Sequence, residues 1–331
     1  MTVIKKITYI FCAIFCFGVV FADTYPRFEM QDQDLESILR EDGSEIYYDL
    51  RKTQDGSQIQ KSVQKPRVLL VLIQGSGCLP ISQQSQTMRL LATVMPESDQ
   101  LWVEKRGLES VLLEAPDEQI HLENCPLDYY TYESLSQRVQ DYTEVITALS
   151  KEYDEIILLG GSEGATIVGL LRQRSLPITA AIALNGGGQY FFDDILWSIS
   201  QTVPDPEKSI LLAEITGFIK MMQAISDDEL EQFTDYSSNH SARWWREMLN
   251  LDMADVWKHS DISLLMIQTL GDNNVSVPAA KLMFEDLSDY AHIQVTTYSE
   301  LDHGFKDADG NSHIVTVITD IQKWLHQVLN K

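Results

Sequence analysis

Three apolar runs in this chain, RVLLVLIQGSG at 67–77, EIILLGG at 155–161 and TAAIALNGGG at 179–188, carry no polar alternation, and each ends on glycines. A strand wetted on one face alternates apolar with polar side chains, so runs of this kind belong to strands buried on both faces, as in a parallel sheet covered by helices. Helical patterns separate them. Leu135, Val139, Tyr142, Val145, Ile146 and Leu149 recur at spacings of three and four within 132–151, and GATIVGLLRQRS at 164–175 follows the second run. Strand, helix, strand, helix, strand predicts an α/β protein with a mostly parallel sheet flanked by helices. Ligands of such sheets bind beyond the carboxyl ends of the strands, where the three glycine-bearing loops should converge.

The remaining chain extends this pattern. A patch at Glu45–Leu50 and the run QLWVEKRG at 100–107 read as further strands, with a turn at Asp55-Gly56. ISLLMIQTLGD at 262–272 and HIQVTTYSELDHG at 292–304 resume the sheet, and an amphipathic helix is predicted over 313–329. Between them, 189–260 is rich in Trp, Met and acidic residues and is broken by Pro204 and Pro206, which predicts a helical insertion. The expected organisation is a core of 23–188 and 261–331 with the insertion at 189–260.

The first 22 residues read as a secretory signal peptide. Lys5 and Lys6 precede an uncharged apolar stretch over 7–21, and Val20-Phe21-Ala22 carries small residues at the first and last positions of a cleavage site. An uncleaved anchor is the alternative, although the stretch falls short of the ~18 apolar residues a spanning helix needs. A periplasmic or secreted protein with no stable membrane span after cleavage is expected. Cleavage would remove Cys12 and Cys16 and leave Cys78 and Cys125, which an oxidising compartment would join in one disulfide; two free thiols are the alternative. The 25 Lys and Arg against 49 Asp and Glu argue against a nucleic-acid partner, because such binding rests on neutralising phosphates. No His-x-x-x-His or clustered Cys/His spacing marks a metal site, and no nucleotide fingerprint is present, so no cofactor is expected.

The second run breaks on Gly160-Gly161-Ser162-Glu163-Gly164. A serine hydroxyl becomes nucleophilic when a base takes its proton and a tight turn presents it. A turn that sharp brings backbones together on either side of the serine, so small residues are required two before and two after it. The pattern recurs by chance; its place between a predicted strand and a predicted helix is what marks a nucleophile elbow.

With this motif, the glycine-bearing loop IQGSGC, GDNNVSVP after a late strand and LDHGF before the last helix, the chain resembles the α/β-hydrolase family over about 66–329, with the insertion where that family carries its helical cap. The order Ser, Asp, His is also the family's. The resemblance implies that Ser162 is the nucleophile, His303 the general base and Asp272 the acid that orients the imidazole. Asp302 adjoins His303 in sequence, but adjacent side chains point apart. The oxyanion of an acyl-transfer intermediate would be received by the backbone N–H groups of Glu163 and Ser76, with Gly77 in reserve. Gln74 stands where many relatives have His. A disulfide between Cys78 and Cys125 would hold that loop. Arg106, in the Arg-Gly turn, reads as a brace against an acidic neighbour or, less favoured, as a binder of a substrate carboxylate.

The reading that follows is a secreted or periplasmic serine hydrolase acting on a small carboxylic ester through an acyl-enzyme. A peptidase or amidase of the same fold comes second, with Asp193, Asp194, Asp227, Asp228 and Glu229 available to hold the free amine of a short peptide. A thioesterase, and a non-catalytic binding protein on a hydrolase scaffold, complete the alternatives. Phe191, Phe192, Trp197, Met221, Met222, Trp244 and Trp245 are candidates for an acyl pocket or for the insertion's own core.

Overall fold

The computed structural model describes residues 35–53, 66–114, 125–233 and 240–330. The expected signal peptide at 1–22 and the turn at Asp55-Gly56 lie outside the described residues. Strands β1 (Leu35–Leu39), β2 (Glu45–Arg51), β3 (Val68–Ile73), β4 (Asp99–Val103), β5 (Glu155–Gly161), β6 (Ala180–Leu184), β7 (Ser263–Thr269) and β8 (Ile293–Tyr298) form one sheet in the order β1-β2-β4-β3-β5-β6-β7-β8. The pairs β1/β2 and β2/β4 are antiparallel, and every pair from β4/β3 to β7/β8 is parallel.

The helices are α1 (Gln86–Leu91), α2 (Glu109–Glu114), α3 (Leu127–Tyr132), α4 (Leu135–Leu149), α5 (Glu163–Arg172), α6 (Phe191–Thr202), α7 (Glu207–Ala224), α8 (Asp227–Gln232), α9 (Ala242–Asn250), α10 (Met253–Lys258), α11 (Val277–Leu287) and α12 (Ile314–Leu329). They cover both faces of the sheet. Leu69, Val71 and Ile73 point into a core shared with α4 and α5, while Leu70 and Leu72 point into a second core shared with α1 and α12. The period of two along β3 thus divides its apolar side chains between two cores, and this is why the run shows no polar alternation.

Three details differ from the sequence-based expectation. β1 lies outside the segments read as strands; it is an edge strand, LESIL, whose side chains are mostly exposed, so it carries little hydrophobic signal. β4 stops at Val103, short of the expected run; the Glu104 N–H still donates to Tyr47 O at 2.9 Å, while the Glu104 and Lys105 side chains turn inward to bind the Ile81 N–H and Gly75 O. The helix predicted from Tyr132 begins at Leu135, where the Ser134 hydroxyl accepts the Gln137 N–H at 3.0 Å as an N-cap. Between β6 and β7 the described residues form the five helices α6 to α10. Among the described residues, no helix is long and apolar enough to cross a membrane.

Candidate active site

Ser162 joins β5 to α5 with φ 56° and ψ −127°, a backbone conformation unfavourable for any residue with a Cβ. The surrounding structure holds it there: its N–H donates to Leu184 O at 2.9 Å and its carbonyl accepts the Ala165 N–H at 2.9 Å. A Cβ on Gly160 would lie 2.3 Å from Gly164 O, and one on Gly164 would lie 2.4 Å from Ile73 O. Both positions therefore exclude a side chain, and the turn brings β5 and α5 against the end of β3.

Asp272 follows β7 and is fully enclosed. Its Oδ1 accepts the N–H groups of Asn274 (2.7 Å) and Val275 (3.2 Å), and its Oδ2 faces Nδ1 of His303 at 2.7 Å. Burial works to lower the His303 pKa, but the Asp272 charge and hydrogen bond outweigh it, and the net shift is upward. Asp302 instead caps its own turn, accepting from Gly304 N–H and Lys306 N–H at 2.9 and 2.8 Å. Asn185, at the end of β6, was not singled out in the sequence. Its amide donates to His303 O at 2.9 Å and its Oδ1 accepts Thr269 N–H at 2.8 Å, so it ties the histidine loop to β6 and β7. A polar residue closing the apolar run AAIAL, just before the glycines, was its signal.

Ser162 opens onto a cleft of about 380 Å3, open to solvent, shared with Ser76, Glu163, Asn185, Asp194 and His240. Phe191, Trp244, Met248 and Val275 supply its apolar walls. His303 is not among the residues that line this cleft, and among the described residues no hydrogen bond joins it to Ser162. Asp194 is buried, accepts Ser276 N–H at 2.7 Å, and is pushed up to about 8 chiefly by burial.

A network of buried charges lies behind the serine. Glu163 is fully enclosed; Arg138 donates to its Oε1, and Trp244 Nε1 donates to its Oε2 at 2.8 Å. Burial alone would raise the Glu163 pKa, but Arg138, Lys105 and His240 together hold it below the ordinary value. His240 stacks on Trp244 with ring centroids 3.6 Å apart, and its Nδ1 lies 2.5 Å from Glu133 Oε1. Burial pushes Lys105 down to about 7 and Glu104 up to about 7. Sequence reading missed this network, although it left a trace: Arg138 falls on the apolar face of α4, between Leu135 and Val139.

No protein-family model matches this chain, and neither does any curated protein. Solved structures do. Est1E from Butyrivibrio proteoclasticus superposes over 90% of this chain and 100% of its own, with a TM-score of 0.54 at 13% identity. The Pyrococcus furiosus esterase PF2001 does so over 88% and 89%, at TM-score 0.54 and 12% identity. Pyrococcus horikoshii acylaminoacyl peptidase covers 90% of this chain with 42% of its own, at TM-score 0.54 and 14% identity. The fold is the α/β-hydrolase fold.

On this α/β-hydrolase scaffold the other sequence candidates separate by position. Cys78 and Cys125 form a disulfide with Cα atoms 5.5 Å apart, packed with Leu108, Tyr129 and Tyr130. Arg106 donates to Asp42 at 2.6 Å and stacks on Tyr132, away from the cleft. Of the aromatic candidates, Phe191 and Trp244 line the cleft, while Trp245 and Met222 are core residues and Met221 is exposed. Trp197 Nε1 donates to Asp272 O at 3.3 Å, and Phe192 stacks on Tyr190. Among the five acids only Asp194 lines the cleft; Asp227 pairs with Arg246, and Glu229 completes a capping box with Ser226. Among the described residues, no group of three or more His, Cys, Asp or Glu could hold a metal ion.

Proposed function

We propose that this protein is a serine hydrolase that cleaves a carboxylic ester through an acyl-enzyme. The reading is carried by one observation: Ser162 holds a strained backbone conformation at a strand-to-helix turn and opens onto a cleft of about 380 Å3. In this reading His303 Nε2 takes the Ser162 proton as Oγ attacks the ester carbonyl, while Nδ1–H donates to Asp272 Oδ2. The oxygen that gains negative charge is received by the N–H groups of Ser76 and Glu163, the latter at the unpaired start of α5. Collapse passes the proton from His303 to the departing alcohol and leaves the acyl group on Oγ. Water, deprotonated by His303, then releases the acid. Phe191, Trp244, Met248 and Val275 suit an apolar or aromatic acyl group, and esterases are among the structures that share the fold.

A peptidase or amidase is the second reading, supported by the acylaminoacyl peptidase among the similar structures. It is placed second because Asp194, the one candidate acid in the cleft, is held mostly protonated at neutral pH and so presents no ready counter-ion for an ammonium group. The disulfide favours an oxidising compartment, in keeping with export through the segment 1–22.

Intact-mass detection of fluorophosphonate labelling tests the proposal. One adduct per folded chain, lost in Ser162→Ala, is expected, followed by faster turnover of p-nitrophenyl esters than of aminoacyl p-nitroanilides. No adduct on folded wild-type protein would put the non-catalytic reading first.

A further inference from the structure

We propose that Lys105 is a positioning residue for the oxyanion site, gripping the 75–77 loop from its buried side so that the Ser76 N–H faces the substrate carbonyl. The inference rests on the serine-hydrolase reading above. Lys105 is 4% exposed and follows β4, the strand beside β3, from which the loop emerges. Its Nζ donates to Gly75 O at 2.7 Å and also to Gly77 O. Tyr129 Oη adds a 3.2 Å bond to Gly77 O, and Arg138 Nη2 donates to Gln74 O at 2.9 Å. Three carbonyls of one short loop are therefore held by buried side chains.

Peptide geometry converts this grip into an orientation. In a trans peptide unit the C=O of one residue and the N–H of the next point in opposite directions. Gly75 O directed at Lys105 forces the Ser76 N–H to the opposite side of the loop. Ser76 lines the same cleft as Ser162, and a Cβ on Gly75 would lie 3.5 Å from Ser162 Cβ, so the loop runs directly beside the nucleophile. Gly77, at φ 89°, occupies a region open mainly to glycine, and the loop there has little intrinsic preference for this shape. An apolar residue at 105 would fill the space without the desolvation that an amine suffers, but it would take the bond from Gly75 O and leave Gly77 O with the 3.2 Å bond from Tyr129. The burial that pulls Lys105 down to about 7 does not remove its role, since a neutral amine still has two N–H donors, one for each carbonyl.

The test compares full-length wild type with Lys105→Met and Lys105→Gln. For a p-nitrophenyl ester that the wild type turns over, kcat is expected to fall by up to about 100-fold in Lys105→Met with KM within about twofold, below the roughly 10^2- to 10^3-fold cost of deleting an oxyanion donor because the Ser76 N–H is displaced and not removed. The rate of fluorophosphonate labelling should fall in parallel, and Lys105→Gln, which keeps a donor, should recover part of both. Folded variants that melt lower but retain wild-type kcat would show a merely structural lysine and overturn the proposal. Should neither variant fold, 13C,15N-labelled wild type decides: trans-hydrogen-bond couplings from Lys105 Nζ to the Gly75 and Gly77 carbonyl carbons, together with a downfield shift of the Ser76 amide on phosphonylation, support the proposal, and the absence of either overturns it. Failure of the wild type to label at all would tell against the serine-hydrolase reading instead.

Discussion

His303 Nδ1 lies 2.7 Å from Oδ2 of Asp272, a residue 31 positions earlier and 1% exposed. Burial favours neutral imidazole, and the carboxylate favours imidazolium; the carboxylate wins, so the His303 pKa stands above its ordinary 6.5. A general base must be unprotonated, so kcat/KM is expected to rise with pH on a limb whose midpoint lies above about 6.5. Asp272→Asn should move that limb to lower pH and reduce kcat on the order of 10^3- to 10^4-fold. A pH–rate profile checks both, and a wild-type limb below 6.5 would contradict the pairing.

Asp194 makes a separate prediction, about stability. Its pKa is raised from 3.8 to about 8, chiefly by burial, with Asp272 and Asp193 adding to the rise and the N–H groups of Ser276 and Gly188 opposing it. Between about pH 4 and pH 8 the folded protein keeps a proton that the unfolded chain releases, so this group makes stability fall as pH rises across that window. Asp194→Asn removes the slope while keeping an acceptor for Ser276. The variant is expected to gain on the wild type by on the order of a few kcal/mol from pH 4 to pH 8. Urea unfolding at pH 5 and pH 8 measures it; a constant difference would show that Asp194 is ionised throughout.

Two glycines should respond oppositely to alanine. A Cβ at Gly164 meets Ile73 O at 2.4 Å, and neither backbone can yield without separating α5 from β3. Gly164→Ala is expected to destabilise the fold by about 3 kcal/mol or more, or to abolish soluble expression. Gly217 lies within α7 with open space around it. Gly217→Ala should stabilise by about 0.5–1 kcal/mol. Chemical denaturation of the pair gives the comparison.

The disulfide closes a separation of 47 residues. Cys125→Ser should lower stability by about 2–4 kcal/mol, as loop-closure entropy in the unfolded chain predicts. Because Cys78 adjoins Gly77, the variant is also expected to react more slowly with fluorophosphonate. A thermal melt and a labelling time course on the same preparation read the two effects separately; a wild-type labelling rate would confine the disulfide to a stabilising role.

Much of the sheet was legible locally. β3, β5, β6 and β7 are continuous apolar runs because both their faces are covered, and hydrophobicity of that kind is written residue by residue. β1 escaped because an edge strand with mostly exposed side chains has nothing to distinguish it from a loop. The inward turn of Glu104 and Lys105 escaped for another reason: buried charges contradict every local rule, and they are tolerated only where distant backbone groups and opposite charges meet them.

The turn at Ser162, by contrast, is legible from two glycines and a serine within five residues, although only the clash at Gly160, against Gly164 O, is local; the one at Gly164 is with Ile73 O of β3. Which groups surround that serine is decided by strand order. β4 lies beside β3 and β3 beside β5, and this brings Lys105 to Gly75 and Gly77, and Arg138 to Glu163 and Gln74, across separations of 25 to 64 residues. Local periodicity encodes how each segment buries its own apolar face; the partners of a buried charge depend on where other segments are placed, and only the assembled sheet specifies that.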